Sequence, residues 1–213
     1  MVAERALNDG GLSGRQVVRI EDPPVAQALF SDVRWAWIWA ILRLYLGWEW
    51  LHAGWGKLHA PAWTGSKAGA AIAGFVSNAL KKTGGEHPDV QGWYAWFLQN
   101  AVRPSPVAWS YLVVWGEILV GIALILGIFT GIAAFFGSFM NLNYLLAGTV
   151  SVNPVLFPIA TWLVLAWKTA GWWGLDRWTL PLLGTPWSPG RVFANGGRRW
   201  PSEGVLEPEA ARR

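Results

Sequence analysis

The sequence predicts an all-α membrane protein: a four-transmembrane-helix bundle with short interfacial helices in the loop between helices 1 and 2. Three observations predict it. Hydrophobic residues make up 53% of 213 residues, charged residues only 14%, and mean hydropathy is +0.28. Soluble domains carry about 25% charge, and a chain this short has too high a surface-to-volume ratio to hide the surplus. Trp is over-represented at 18 residues, against 4 Tyr and no Cys. Indole rings favour the headgroup layer, where the ring rests on acyl chains and the N–H stays wet. Four apolar stretches also reach the roughly 20 residues that a bilayer crossing needs.

Residues 1–34 form a polar N-terminal tail of mixed charge, without the basic and apolar regions of a signal peptide. Ser31 or Asp32 offers an N-cap for the first span, about 35–56, which carries Arg43, Glu49 and His52. A loop of about 50 residues follows, 57–106. Within it, Ser66–Lys82 has helical apolar spacing, and Trp93–Val102 is aromatic but too short to cross. Both are expected to lie on the membrane surface or to cap the bundle.

The second span, about 107–128, has Glu117 as its sole charge. The third, about 131–150, contains Asn141 and Asn143 and no charge. A tight turn at Phe129–Thr130 makes these two antiparallel neighbours. Asn153-Pro154 restarts the chain as a fourth span, about 154–173, with Lys168 inside it. A soluble bundle would need a polar stripe on every helix, and spans two and three have none. The transmembrane domain is thus expected over 35–176, with a Pro/Gly-rich tail at 177–213.

Four spans put both termini on one side. Near the membrane, Arg19, Arg34, Arg177 and Arg191 outweigh Lys57, Lys67 and Arg103, which favours cytoplasmic termini. The basic balance, pI about 9.7, reflects such loops and not nucleic-acid binding, because no Lys/Arg stripe is interleaved with aromatics. The absence of Cys excludes disulfides, thiolate metal sites, iron–sulfur clusters and thiol redox chemistry. Of the three His, only His52 lies at membrane depth, so neither bis-His haem nor a metal is expected.

Ionisable groups within a span are functional or compensated. At about 1.5 Å per residue, Arg43, Glu117, Asn141 and Lys168 fall in one layer, about 9–16 Å from the cytoplasmic face. Charge compensation, with Glu117 neutralising Arg43 or Lys168, is one reading. The other is a pocket for a quinone or a small anion. There Arg43, Asn141, Asn143, Tyr144 or Lys168 would hold carbonyl oxygens, and Glu117 or Glu49 would move protons. Glu49 and His52 share a helix face somewhat further along, which suits a proton relay or a simple hydrogen-bonded pair.

LRLYLGWEWLHAGWGKL at 42–58, GEILVGIALILGIFTGIAAFFG at 116–137, NLNYLLAGTVSVNPVLF at 141–157 and AWKTAGWWGLDRWTLPLLGTPW at 166–187 together resemble the DoxX family. Within it they are most similar to the DoxD-like membrane subunit of thiosulfate:quinone oxidoreductase. The resemblance covers most of 35–187. It implies a four-helix membrane bundle working in a complex with a quinone link, and Arg43, Glu117, Asn141, Asn143 and Asn153 fall in its recurrent motifs. The expected setting is a bacterial or archaeal cytoplasmic membrane, with lipid, quinone and other complex subunits as partners. The rival reading is a non-catalytic accessory subunit of a respiratory or photosynthetic complex. A transporter has no broken helix or inverted repeat to support it.

Overall fold

A computed structural model describes residues 22–183, and these are helical with no strand among them. A short helix, α1 (Pro24–Ser31), precedes a single 3-10 turn at Val33–Trp35 and the long α2 (Ala36–Leu58). The connecting segment folds into α3 (Ala70–Leu80) and α4 (Gly92–Phe97), the latter running into a π-helical turn at Leu98–Val102. Then come α5 (Pro106–Leu126), α6 (Thr130–Leu146), α7 (Asn153–Leu165), α8 (Trp167–Ala170) and α9 (Asp176–Leu183).

Among the described residues only α5 is both long and apolar enough to cross a membrane. Helix α2 reaches 23 residues, but Arg43, Glu49 and Lys57 dilute its hydropathy. Helices α6 and α7, at 17 and 13 residues, are shorter than the bilayer requirement. The continuous fourth helix expected over 154–173 is instead two: Ala166 leaves helical geometry and separates α7 from α8. Pro158 also sits inside α7, where it lacks the N–H for its turn. Residues 24–31 and 177–183, expected as tail, belong to helices α1 and α9. Arg5, Arg15, Arg19, Arg191 and the other basic residues of the outer tails lie outside the described residues.

Packing is most extensive between α2 and α5 and between α6 and α7, with α5 also meeting α6. The α2–α5 seam is made by glycines. A Cβ on Gly121 would lie 2.5 Å from the Leu51 backbone nitrogen, and one on Gly54 would lie 2.9 Å from that of Ile118. Small residues let the two backbones approach, as in helix pairs without a hydrophobic driving force. The seam fixes an antiparallel register that sets Gly47 beside Leu124 and Gly54 beside Glu117.

Two cores result. One lies among the long helices, around Trp39, Leu46, Trp50, Leu124, Ala134 and Leu163. The second, around Val76, Val90, Tyr94 and Leu98, joins α3 and α4 over one end of the bundle. The loop helices pack against the ends of α5 and α6 through Trp109, Val113, Leu146 and Ala147. The outward faces are strongly apolar: Trp37, Ile41 and Trp48 on α2, Leu119 on α5, Phe135 and Phe139 on α6 and Trp162 on α7 are all exposed.

Candidate functional site

Helix α2 runs two residues beyond Gly56, so Lys57 stands one turn after Gly54 on the face that meets α5. Its Nζ donates to Glu117 Oε2 at 2.6 Å. Glu117 is 1% exposed and Lys57 22%, so the pair connects the interior with the surface. On the other side, Tyr144 Oη donates to Glu117 Oε1 at 2.6 Å. Lys57 Nζ also lies 5.3 Å from the Trp63 ring centroid, within range of a cation–π contact. Three residues from α2, α5 and α6 thus form one ordered chain: ammonium, carboxylate, phenol.

Tyr144 faces a cavity of about 550 Å³ between α5, α6 and the loop helices. Ligand pockets fall between about 300 and 1,000 Å³. Its walls are almost wholly apolar, including Phe75, Leu98, Val113, Ile132 and Met140. Leu119, Ile132, Phe136 and Phe139 line it and are also exposed on the outer surface, so it opens sideways between α5 and α6. The polar side chains of the wall are Tyr144, Tyr94, Asn143 and the indoles of Trp63 and Trp109. Tyr94 Oη donates to Asn143 O at 2.9 Å, and Asn143 Nδ2 donates to Phe139 O at 2.8 Å. Burial pushes the Tyr94 hydroxyl up to about 12.

Arg43 belongs to a different construction. It donates to the Leu124 carbonyl, to Ile125 O at 3.0 Å and to Trp173 O at 3.3 Å, which caps the C-terminal end of α5. Gly127 follows with φ +65, and Gly127 and Ile128 return their N–H groups to Leu124 and Ala123. The next helix is capped by Asp176: Phe129 N and Thr130 N donate to its two oxygens at 2.6 and 2.8 Å. Arg43 and Asp176, which attract each other electrostatically, clasp the α5–α6 turn from both sides.

The single layer of Arg43, Glu117, Asn141 and Lys168 therefore does not form. The glycine register sets Glu117 level with Gly54. That is eleven residues along α2 from Arg43, or roughly 16 Å of helix rise. Glu117 is compensated by Lys57, not by Arg43 or Lys168. Asn141 is fully buried, its amide has no hydrogen-bond partner among the described residues, and it does not line the cavity. Lys168 is half-buried and makes no hydrogen bond or ion pair with described residues. Glu49 makes no hydrogen bond to His52, whose exposed ring stacks on Trp48 at 5.8 Å.

Of the expected site residues, Tyr144 and Asn143 line the cavity, and Glu117 is joined to it through its hydrogen bond from Tyr144. Sequence reasoning missed Lys57, Tyr94 and Trp63, which it assigned to the loop, and Asp176. Lys57 carried a usable signal: helical spacing from Gly54 puts it on the same face once α2 continues past Gly56.

No group of three or more metal-ligating side chains occurs among the described residues. Comparison with curated proteins and with solved structures gives no match. A family profile described as DoxX matches residues 38–149, more than half of the chain.

Proposed function

The chain belongs to the DoxX family, a family of membrane proteins, and from that premise we propose that it is a quinone-interacting membrane subunit of an oxidoreductase complex. The observation that carries this reading is the laterally open apolar cavity with Tyr144, hydrogen-bonded to the Glu117–Lys57 pair, at its polar end. A quinone is a small ring with polar oxygens on a long apolar chain, and it reaches its site from the bilayer. A side opening between Leu119 and Phe136 suits that route. An ionised pair linked to a phenol is a means of exchanging protons with the ring oxygens.

In this reading α2, α5, α6 and the α7–α8 pair form the four-helix bundle that crosses the membrane. Their exposed Trp, Phe and Leu side chains support it, because water-facing surfaces seldom carry contiguous apolar area of that extent. Both termini lie on the cytoplasmic side of a bacterial or archaeal membrane. The electron donor, a reduced sulfur compound such as thiosulfate in the finer form of the proposal, is handled by a partner subunit.

The test is equilibrium binding of a menaquinone or ubiquinone analogue to detergent-purified protein. Ala123→Phe, which places a ring in the cavity wall, should weaken binding at least tenfold with helicity unchanged. Wild-type affinity in that variant sinks the assigned cavity.

A further inference from the structure

Hydrogen-bond polarity at the cavity distinguishes the two redox forms of such a ligand. A quinone offers two carbonyl oxygens that only accept, whereas its reduced form offers two hydroxyls that donate as well. The Tyr144 hydrogen is committed: a carboxylate accepts only, and Lys57 at 2.6 Å holds Glu117 in that form. The hydrogen-bonding capacity left to the Tyr144 hydroxyl, on a residue of the cavity wall, is therefore the lone pairs of its oxygen. Tyr94 is committed likewise, because a backbone carbonyl, Asn143 O, receives its hydrogen. Trp109 Nε1 donates to Ala101 O at 2.9 Å. The remaining side-chain donors of the wall are the Trp63 N–H and the second amide hydrogen of Asn143. The cations and amide that would have served a quinone carbonyl, Arg43, Lys168 and Asn141, lie off the cavity.

Resting on the quinone reading, we infer that the Tyr144 end of the cavity is built to accept a hydrogen bond from the hydroquinone, so the site selects the reduced form over the oxidised one. A hydroquinone hydroxyl donates to Tyr144 Oη, and the phenol passes the polarisation on to the Glu117 carboxylate. A quinone oxygen in the same place would set lone pair against lone pair. The second hydroxyl, able to accept as well as donate, meets the Trp63 and Asn143 donors. Tyr144 is the specificity-determining residue, while Glu117 and Lys57 are positioning residues that fix the direction of its O–H.

The experiment is anaerobic equilibrium dialysis of a decyl-benzoquinone and its pre-reduced hydroquinone against the purified full chain in detergent. Wild type should bind the hydroquinone about tenfold tighter or more, the equivalent of about 1.4 kcal/mol. Tyr144→Phe should bring the two dissociation constants together by weakening the hydroquinone alone, leaving the quinone within about twofold. The double variant Glu117→Leu with Lys57→Met removes the acceptor and frees the Tyr144 hydrogen, so its preference should move towards the quinone. Equal or tighter quinone binding by wild type overturns the inference, as does a preference that survives Tyr144→Phe. Binding of neither form by helical, monodisperse protein overturns the quinone reading itself, and the inference falls with it.

Discussion

Lys57 and Glu117 share one ion pair but not one environment, and their removal should differ in consequence. Glu117 is 1% exposed, so Lys57→Met strands a carboxylate in the interior, a loss of about 3–5 kcal/mol. Glu117→Gln leaves Lys57, at 22% exposure, free to turn its ammonium outwards and should be markedly milder. Unfolding of both singles and of the double variant in detergent checks this, the double being more stable than Lys57→Met alone. Arg43→Met removes three hydrogen bonds to carbonyls at the end of α5 and should lower stability by about 2–4 kcal/mol without altering quinone affinity. Tyr94, in the loop helices, supplies a pH dependence. Its hydroxyl is raised from 10.0 to about 12, so the folded state holds the proton more tightly than the unfolded one. Its stabilisation is complete below pH 10 and is lost as pH rises towards 12. Thermal unfolding between pH 9 and 12 should steepen in wild type and flatten in Tyr94→Phe.

At the level of elements, the α2–α5 seam makes the sharpest prediction. Gly121→Ala forces its methyl against the Leu51 backbone and should separate the helices, with a clear loss of stability. Gly56→Ala, in the same α2 but facing open space, should be neutral or stabilising by up to about 1 kcal/mol, since only helix propensity changes. Paired unfolding measurements on the two variants check the contrast. The elements themselves were largely legible: apolar run length located α2, α5 and α6, and periodicity located α3. What the sequence could not convey was register. Placing each span by its apolar ends put Arg43 opposite Glu117, whereas glycine contacts slide the two apart and bring Lys57 into the seam. Helix α9 escaped notice because Asp176, its first residue, is explained only by a turn more than forty residues earlier.

For the whole molecule, the natural lack of Cys makes the proposed topology directly testable. Ser31 and Leu182 lie at the end of the bundle where α1 meets the α8–α9 segment, and Thr83 lies in the exposed loop between α3 and α4. Single substitutions Ser31→Cys and Leu182→Cys should react with an impermeant maleimide from one face of oriented vesicles, and Thr83→Cys from the other. Labelling of all three from one face would exclude the crossing bundle. The site was legible in part for a related reason. Residues within one span, such as Glu117 and Tyr144, stand out against apolar neighbours, whereas the cavity depends on how loop helices fold back over α5 and α6. The clasp around the α5–α6 turn has a bearing on biogenesis. Arg43 emerges from the ribosome early and Asp176 last, 47 residues after the Phe129 amide it receives. The hairpin of α5 and α6 must therefore wait with unprotected ends until the C-terminal segment arrives. A chain truncated before Asp176 would present an unfinished turn, which membrane quality-control proteases could recognise as incomplete synthesis.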